Sequence, residues 1–383
     1  MQAPIYLDYA AATPLDERVF AVMEPYYGEK FHNPSAAYQA ARDVRTDIDD
    51  ARRRIAQLIG VKRDDIVFTA GATESIALAF HGVTNDGGHV VIGATEHEAV
   101  RSFSDHFDTS VVGVNEKGYI HLDELEECIT DETVLVSITC ADGELGTMQP
   151  VRKIGQLVES VRVSRKARGI ERPIYFHTDA SQAAGFMGLH MSRLGVDMLT
   201  LNAGKVYGPK QVGLLALMPH VRLSPLFVGG GQERGLRGGT ENVPGIIGFA
   251  KALELVIAKQ DSESKRLRDL RDSLRSQLEK SVPDLIINGH AKKQLPSHLH
   301  ISLPGLDAER AVFALDALSV LVATGAACAA NKGTRSRTLV AVGMPDELAD
   351  SSLRISLGRQ TTNGQVDRAA QLISEALLQE RGR

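Results

Sequence analysis

Between Asp64 and about Met218 the chain alternates short β-branched runs with amphipathic stretches. Residues 66–69, 89–92, 134–139, 174–177, 198–201 and 213–217 read as strands. Several are apolar at every position, as strands buried on both faces of a mostly parallel sheet should be. Between them, 73–82, 123–129 and 151–161 carry helical patterns. Strand–helix alternation of this kind predicts an α/β unit with helices on both faces of the sheet.

After a glycine-rich stretch, 229–240, a long helical pattern runs from about 243 to 280. Its residues Leu267, Leu270, Leu274 and Leu278 recur at the spacing of one helix face, and Pro283 ends it. A smaller α+β unit follows, with strands near 285–288, 298–303 and 353–357 and helices near 307–315 and 363–379. The N-terminal residues up to about Ile59 are expected to pack partly with it. The division predicted is a large unit over 15–255 and a small one built from 1–14 and 256–383. A length of 383 residues accommodates both, at roughly 100–200 residues per domain.

Composition narrows the classes of function. Acidic residues (48) outnumber basic ones (43), for a net charge of −5. That argues against nucleic acid or an anionic membrane as the main partner. Three cysteines exclude a disulfide scaffold, and no CxxC pair is present. The first residues lack a basic stretch followed by an apolar one, so no signal peptide is expected. The apolar run 317–330 is too short to span a bilayer. A soluble cytoplasmic enzyme is the expectation. The basic run 162–172 lacks interleaved aromatics and reads as a solvated loop.

Four local patterns carry candidate chemistry. Thr69-Ala70-Gly71-Ala72-Thr73-Glu74-Ser75 lies between a strand and a helix. Small residues there let backbone N–H groups approach an anion, and the helix N-terminus adds partial positive charge. A plain turn with Thr as N-cap fits the same residues. Lys205, in Asn202-Ala203-Gly204-Lys205-Val206-Tyr207-Gly208-Pro209-Lys210, stands just past a strand end, where α/β sheets bind ligands. Burial would make its amine a better nucleophile toward an aldehyde, although in isolation a surface lysine fits as well. Asp179 ends the strand before it, 26 residues upstream of the lysine. A carboxylate there can keep a pyridine nitrogen protonated, or it can cap the next helix. Cys328, within Ala323-Thr324-Gly325-Ala326-Ala327-Cys328-Ala329-Ala330-Asn331, reads as a loop thiol. With a pKa of roughly 8.5 it would be only about 3% thiolate at pH 7, so a nucleophilic role requires activation. Cys128, in an acidic helix, and Cys140, at an apolar strand end, read as structural.

Together these patterns resemble the cysteine desulfurases of the NifS/IscS type, class-V aminotransferase relatives with the aspartate-aminotransferase-like fold type I. The resemblance extends almost end to end. It runs through Tyr6-Leu7-Asp8-Tyr9-Ala10-Ala11-Ala12-Thr13-Pro14, Asn33-Pro34-Ser35, Gly71-Ala72-Thr73-Glu74-Ser75, Thr95-Glu96-His97 and Asp179-Ala180-Ser181-Gln182. Lys205-Val206-Tyr207-Gly208-Pro209-Lys210, the glycine-rich 229–240 and Ser351-Ser352-Leu353-Arg354-Ile355-Ser356-Leu357-Gly358-Arg359 follow in order.

The resemblance implies pyridoxal 5'-phosphate (PLP) as cofactor and Lys205 as the lysine that forms its Schiff base. It implies Asp179 on the ring nitrogen, Gln182 on the ring hydroxyl, and His97 stacked on the ring and moving protons. Ala72 and Thr73 would hold the phosphate, with Thr240 reaching it from the other subunit of a homodimer. Arg354 would bind the carboxylate of L-cysteine, with Asn33 as a further substrate contact, and Cys328 would take the sulfur as a persulfide. A protein sulfur acceptor, either an iron–sulfur scaffold or a tRNA-thiolation protein, would follow. Another PLP reaction on the same fold (selenocysteine lysis or aminotransfer) and a low-activity regulatory homologue stay open at this point.

Four departures fall in or beside the implied site. Gly204 stands where the family has histidine, Asn202 where a phosphate-binding serine is usual, and Asp142-Gly143 where an Asn-Asn pair is usual; alanines 326 and 329 replace serines beside Cys328. Placed near the ring hydroxyl and the substrate carboxylate, Asp142 would repel by up to about 4 kcal/mol at 4 Å and an effective dielectric near 20. Either it is protonated, or it has rotated away, or the substrate is not ordinary L-cysteine. Asn202, Gly204 and Asp142 are nonetheless placed with the cofactor-binding residues.

Overall fold

A computed structural model describes residues 3–85, 87–324 and 335–381. Its main sheet has seven strands in the order Ile66–Thr69, Gly213–Leu217, Met198–Asn202, Tyr175–Asp179, Thr133–Ser137, His89–Gly93 and Asp108–Val112. Gly213–Leu217 runs antiparallel to both neighbours, and the other pairings are parallel. Side chains alternate between two cores. Ile66, Phe68 and Val91 join Ile48, Ile55, Ile154 and Phe249 on one face, while Val67, Val90 and Ile92 join Ile76, Phe80 and Val100 on the other. Helices therefore cover both faces. The edge strand Asp108–Val112 is not apparent in the sequence because only Val112 is buried and no apolar run marks it.

The smaller sheet is antiparallel, ordered Ala323–Thr324, Ser352–Ser356, His298–Ser302 and Ile286–Asn288. It packs with Leu267, Leu270, Leu274 and Leu278 of helix Gln260–Ser281 and with Val366, Ile373 and Leu377 of helix Asn363–Glu380. Ile5–Tyr6 pairs with Val320–Leu321, which brings Leu7 into this core.

Three expectations are corrected. The pattern over 243–280 is two helices, Val243–Ile257 and Gln260–Ser281, because Phe249 and Leu253 belong to the first core and the Leu267 stripe to another. Helix Gln39–Ile59 packs in the large core through Val44, Ile48 and Ile55, so only the first few residues join the small unit. The basic run is not a loop throughout. Helix Val151–Ala167 extends into it, and Arg165 is buried, donating to the carbonyls of Thr130, Thr133 and Arg172. Among the described residues no helix is long and apolar enough to cross a membrane.

Candidate active site

The strand Ile66–Thr69 turns at Gly71 into the 13-residue helix Ala72–Thr84. Gly71 has φ 141°, a conformation side chains disfavour, and no side chain caps the helix. Thr69 Oγ1 instead meets Ser75 Oγ at 2.7 Å. A threonine cap is thus excluded, and the helix start opens onto a cavity of about 720 Å³ lined by Ala72, Thr73, Asn202, Gly204, Lys205 and Lys210. Amides at a helix N-terminus beside two lysines suit an anion. Glycine at 213 is what permits the close approach here, since a Cβ there would lie 2.6 Å from the Gly71 carbonyl carbon.

Lys205 ends the short turn Ala203–Lys205 that follows strand Met198–Asn202. It is half-buried, and Nζ donates to the carbonyls of Ala10 at 2.6 Å and Ala11 at 2.8 Å. Asn202 Oδ1 accepts from Gly204 N–H at 3.0 Å, so its amide nitrogen is the end left to donate elsewhere. A Cβ at Gly204 would come 3.3 Å from Lys210 Cδ and 3.4 Å from Asn202 Oδ1, so those two side chains close over the space a larger residue would need.

Asp179 ends the neighbouring strand, registered against Thr200, so it and Lys205 share one sheet edge. It is buried, and Oδ1 accepts from Ser181 N–H at 2.9 Å. Behind it lies Glu96, a carboxyl whose role the sequence did not reveal. Glu96 is buried, and Oε1 accepts from Thr139 N–H at 2.5 Å. Burial, then Asp179, push its pKa well above the usual range, against the pull of the Thr139 N–H. His97 is exposed, and its Nδ1 accepts from Ala99 N–H at 3.1 Å, which assigns the proton of the neutral ring to Nε2.

Of the three alternatives for Asp142, the loop 142–146 shows the side chain rotated away. Its Oδ2 accepts from the N–H groups of Glu144, Leu145 and Gly146, and Thr338 Oγ1 donates to Oδ1 at 3.4 Å. The carboxylate is turned onto its own backbone and does not line the Lys205 cavity. Burial raises its pKa, and the three amides oppose that. Gln182 Nε2 donates to Ala10 O at 3.0 Å and sits 3.0 Å from where a Cβ of residue 143 would be, so Gly143 makes room for it. Arg354 Nη2 bonds Asp8 Oδ1 at 2.8 Å, and Nη1 donates to Gly143 O at 3.2 Å.

Asn33 and Thr240 lie together elsewhere, in a cavity of about 260 Å³ that Lys205 does not line. Within one chain the structure does not bring them to the Lys205 cavity. Cys328 lies outside the described residues. Burial pushes the Cys140 thiol up to about 12, and burial with Glu124 and Glu127 raises that of Cys128, so neither is an activated nucleophile.

The chain matches the aminotransferase class-V family over residues 5–369. It is 39% identical to a cysteine desulfurase IscS of Dictyoglomus turgidum, over 94% of this chain and 91% of that protein. It is 37% identical to cysteine desulfurase IscS 1 of Archaeoglobus fulgidus, over 96% of this chain and 95% of that protein. Among solved structures, a NifS-like protein superposes with a TM-score of 0.89 at 32% identity, over 98% of this chain and 99% of the other. SspA in complex with cysteine does so with a TM-score of 0.80 at 31% identity, over 92% of this chain and 98% of the other. Fold, matched length and degree of identity agree: this chain belongs to the class-V aminotransferase family, alongside the PLP-dependent cysteine desulfurases.

Proposed function

We propose that this chain removes sulfur from L-cysteine, releasing L-alanine and holding the sulfur as a persulfide on Cys328. The observation that carries the reading is the convergence of Lys205, the uncapped start of helix Ala72–Thr84 and the buried Asp179 at one edge of the sheet. These residues fit PLP. The glycine-lined cradle would hold its phosphate through the amides of Ala72 and Thr73 and through Lys210 and the Asn202 amide, Lys205 would supply an amine for its aldehyde, and Asp179 would supply the partner for a ring nitrogen. When bound, PLP supplies an electron sink for the pair released at the substrate Cα.

Lys205 would then take the Cα proton, and His97, whose neutral ring carries its proton on Nε2, would exchange protons. Arg354 releases Asp8 and binds the substrate carboxylate through its planar fork. Cys328, as thiolate, attacks the substrate sulfur. The substrate Cβ–S bond breaks with its electron pair going to carbon, which is protonated, and an S–S bond forms. L-cysteine plus thiol becomes L-alanine plus persulfide. A protein acceptor, an iron–sulfur scaffold or a tRNA-thiolation protein, takes the sulfur on. In this reading the large unit 15–255 holds PLP, and the small unit (1–14 and 256–383) carries Cys328.

A homodimer belongs to the same reading. It is supported by the exposed Phe227 and Val228 beside the Lys205 cavity, and by Thr240, which would have to come from a second copy. A cytoplasmic location fits a nucleophile that must stay a free thiol.

The test is a pair of variants on protein purified with added PLP. Lys205→Ala should lose the visible absorbance of bound coenzyme. Cys328→Ala should keep that absorbance and lose alanine and persulfide formation from L-cysteine. Keto-acid formation without sulfur release, or full sulfur release by Cys328→Ala, would overturn the assignment.

A further inference from the structure

A buried polar cluster beyond the cofactor cavity ties together parts of the chain that the proposed reaction needs in register. Glu144 is nearly enclosed, its side chain 13% exposed, and Oε2 accepts from Ser336 Oγ at 2.5 Å. Ser336 is itself buried and caps helix Arg337–Ala341, its Oγ accepting from Leu339 N–H at 3.2 Å. A second tie runs beside it, from Thr338 Oγ1 to Asp142. The other Glu144 oxygen, Oε1, is buried without a hydrogen-bond partner among the described residues and lies 3.8 Å from His300 Nε2. Asn288 Nδ2 donates to His300 Nδ1 at 3.0 Å, so the neutral ring carries its proton on Nε2, directed at the carboxyl. His300 stands opposite Arg354 in the strand register, and Arg354 donates to Gly143 O, one residue before Glu144.

Two ends of the proposed chemistry thus meet at three consecutive loop residues. One is the arginine proposed for the substrate carboxylate. The other is the helix whose cap lies eight residues after Cys328 in the sequence. A carboxyl enclosed in this way is a costly means of filling space, since an apolar side chain of similar volume would avoid the desolvation. What the carboxyl adds is direction, because it accepts from one hydroxyl in one orientation.

We propose that Glu144 is a positioning residue for the sulfur-transfer step, holding Ser336 and so the start of helix Arg337–Ala341 against the loop that also holds Arg354. The step it serves rests on the desulfurase reading, but the hydrogen-bonded tie does not.

The test compares Glu144→Ala, Ser336→Ala, their double variant and Glu144→Gln in the PLP-loaded full chain. The first readout is the rate at which iodoacetamide alkylates Cys328, with Cys128 in the same digest as internal control. Each alanine variant should change the Cys328 rate by about threefold or more while Cys128 holds its rate, and the double variant should match the singles, as one shared interaction requires. The second readout is alanine formation from L-cysteine. Here kcat should fall about tenfold with KM within about twofold, and Glu144→Gln, whose amide oxygen still accepts from Ser336, should recover most of the loss. Cys328 rates equal to wild type, or effects that multiply in the double variant, overturn the proposal. If the wild-type chain forms no alanine the desulfurase reading fails, and the alkylation rates still decide whether the tie exists.

Discussion

Glu144 offers a sharp energetic test because its environment penalises its charge. Burial, with Asp142 adding repulsion, pushes its pKa from 4.5 to about 8, against the opposing pull of Ser336 and Arg354. The group binds its proton more tightly in the fold than in the unfolded chain. Its stabilising effect is therefore complete below pH 4.5 and is lost as pH rises to about 8. At about 1.4 kcal/mol per pH unit, the ionised group destabilises the fold at pH 9 by on the order of 5 kcal/mol relative to a neutral isostere. Glu144→Gln removes that slope. With an unfolding entropy of about 2.1 cal/mol/K per residue over 383 residues, the difference corresponds to roughly 6 °C in Tm. Thermal melts at pH 5 and pH 9 should show Glu144→Gln near wild type at the lower pH and more stable at the higher one. Other buried groups, including Glu96, Asp142, His298 and His300, give both proteins a pH dependence, and the difference between the two curves isolates residue 144. Parallel curves, or a gap that widens toward acid, would refute the reasoning.

Three further outcomes follow from contacts of known geometry. Arg52 pairs with Glu233 at 2.6 Å, and Glu233 also accepts from Phe68 N–H at 2.9 Å. Arg52→Ala should therefore cost about 3–5 kcal/mol in chemical denaturation, because it strands a buried carboxylate. Gly213→Ala places a methyl 2.6 Å from the Gly71 backbone, so PLP affinity measured by fluorescence titration should weaken about tenfold, with about 1–3 kcal/mol of stability lost. An unchanged affinity would separate Gly71 from the phosphate site. Arg354→Lys should raise the KM for L-cysteine about tenfold or more while leaving the coenzyme absorbance in place, since an ammonium cannot reproduce a bidentate fork.

What could be read from the sequence follows the physics of each element. Central strands were legible because burial on both faces leaves an uninterrupted apolar run, as in Val90, Val91 and Ile92. Asp108–Val112 was not, because an edge strand with one face in solvent carries only local alternation. Helix boundaries were blurred where two helices meet end to end. Residues 259–266 are all polar and compatible with a helix, so the break at residues 258–259 shows only in the change of core between Leu253 and Leu267. Arg165 shows the limit of charge patterning, since a run of like charge looks solvated even when one guanidinium in it is satisfying buried carbonyls. The place of Lys205 and Asp179 at one sheet edge was legible because each directly ends or follows an apolar strand run. Glu96 and Glu144 were not. Their significance lies in burial, which no local pattern of charged residues discloses.

Asp142 shows how a magnitude decides between geometries. Had its carboxylate faced the substrate carboxylate, restoring the neutral amide by Asp142→Asn would relieve up to about 4 kcal/mol, roughly a thousandfold in affinity for L-cysteine. The structure directs Oδ2 at three backbone amides and Oδ1 at Thr338, so the charge is compensated where it sits. An asparagine oxygen can accept from the same amides, and its nitrogen can donate to the threonine hydroxyl. Asp142→Asn should therefore change the KM for L-cysteine by no more than about threefold, with the main loss in stability, about 1–3 kcal/mol, as charge-assisted bonds become neutral ones. Steady-state kinetics beside a denaturation curve distinguish the cases. A gain in affinity of a hundredfold or more would mean that the carboxylate swings toward the substrate in the working enzyme. A stability loss with unchanged KM would mean that this chain replaced the family's asparagine by giving residue 142 to the loop and leaving carboxylate recognition to Arg354.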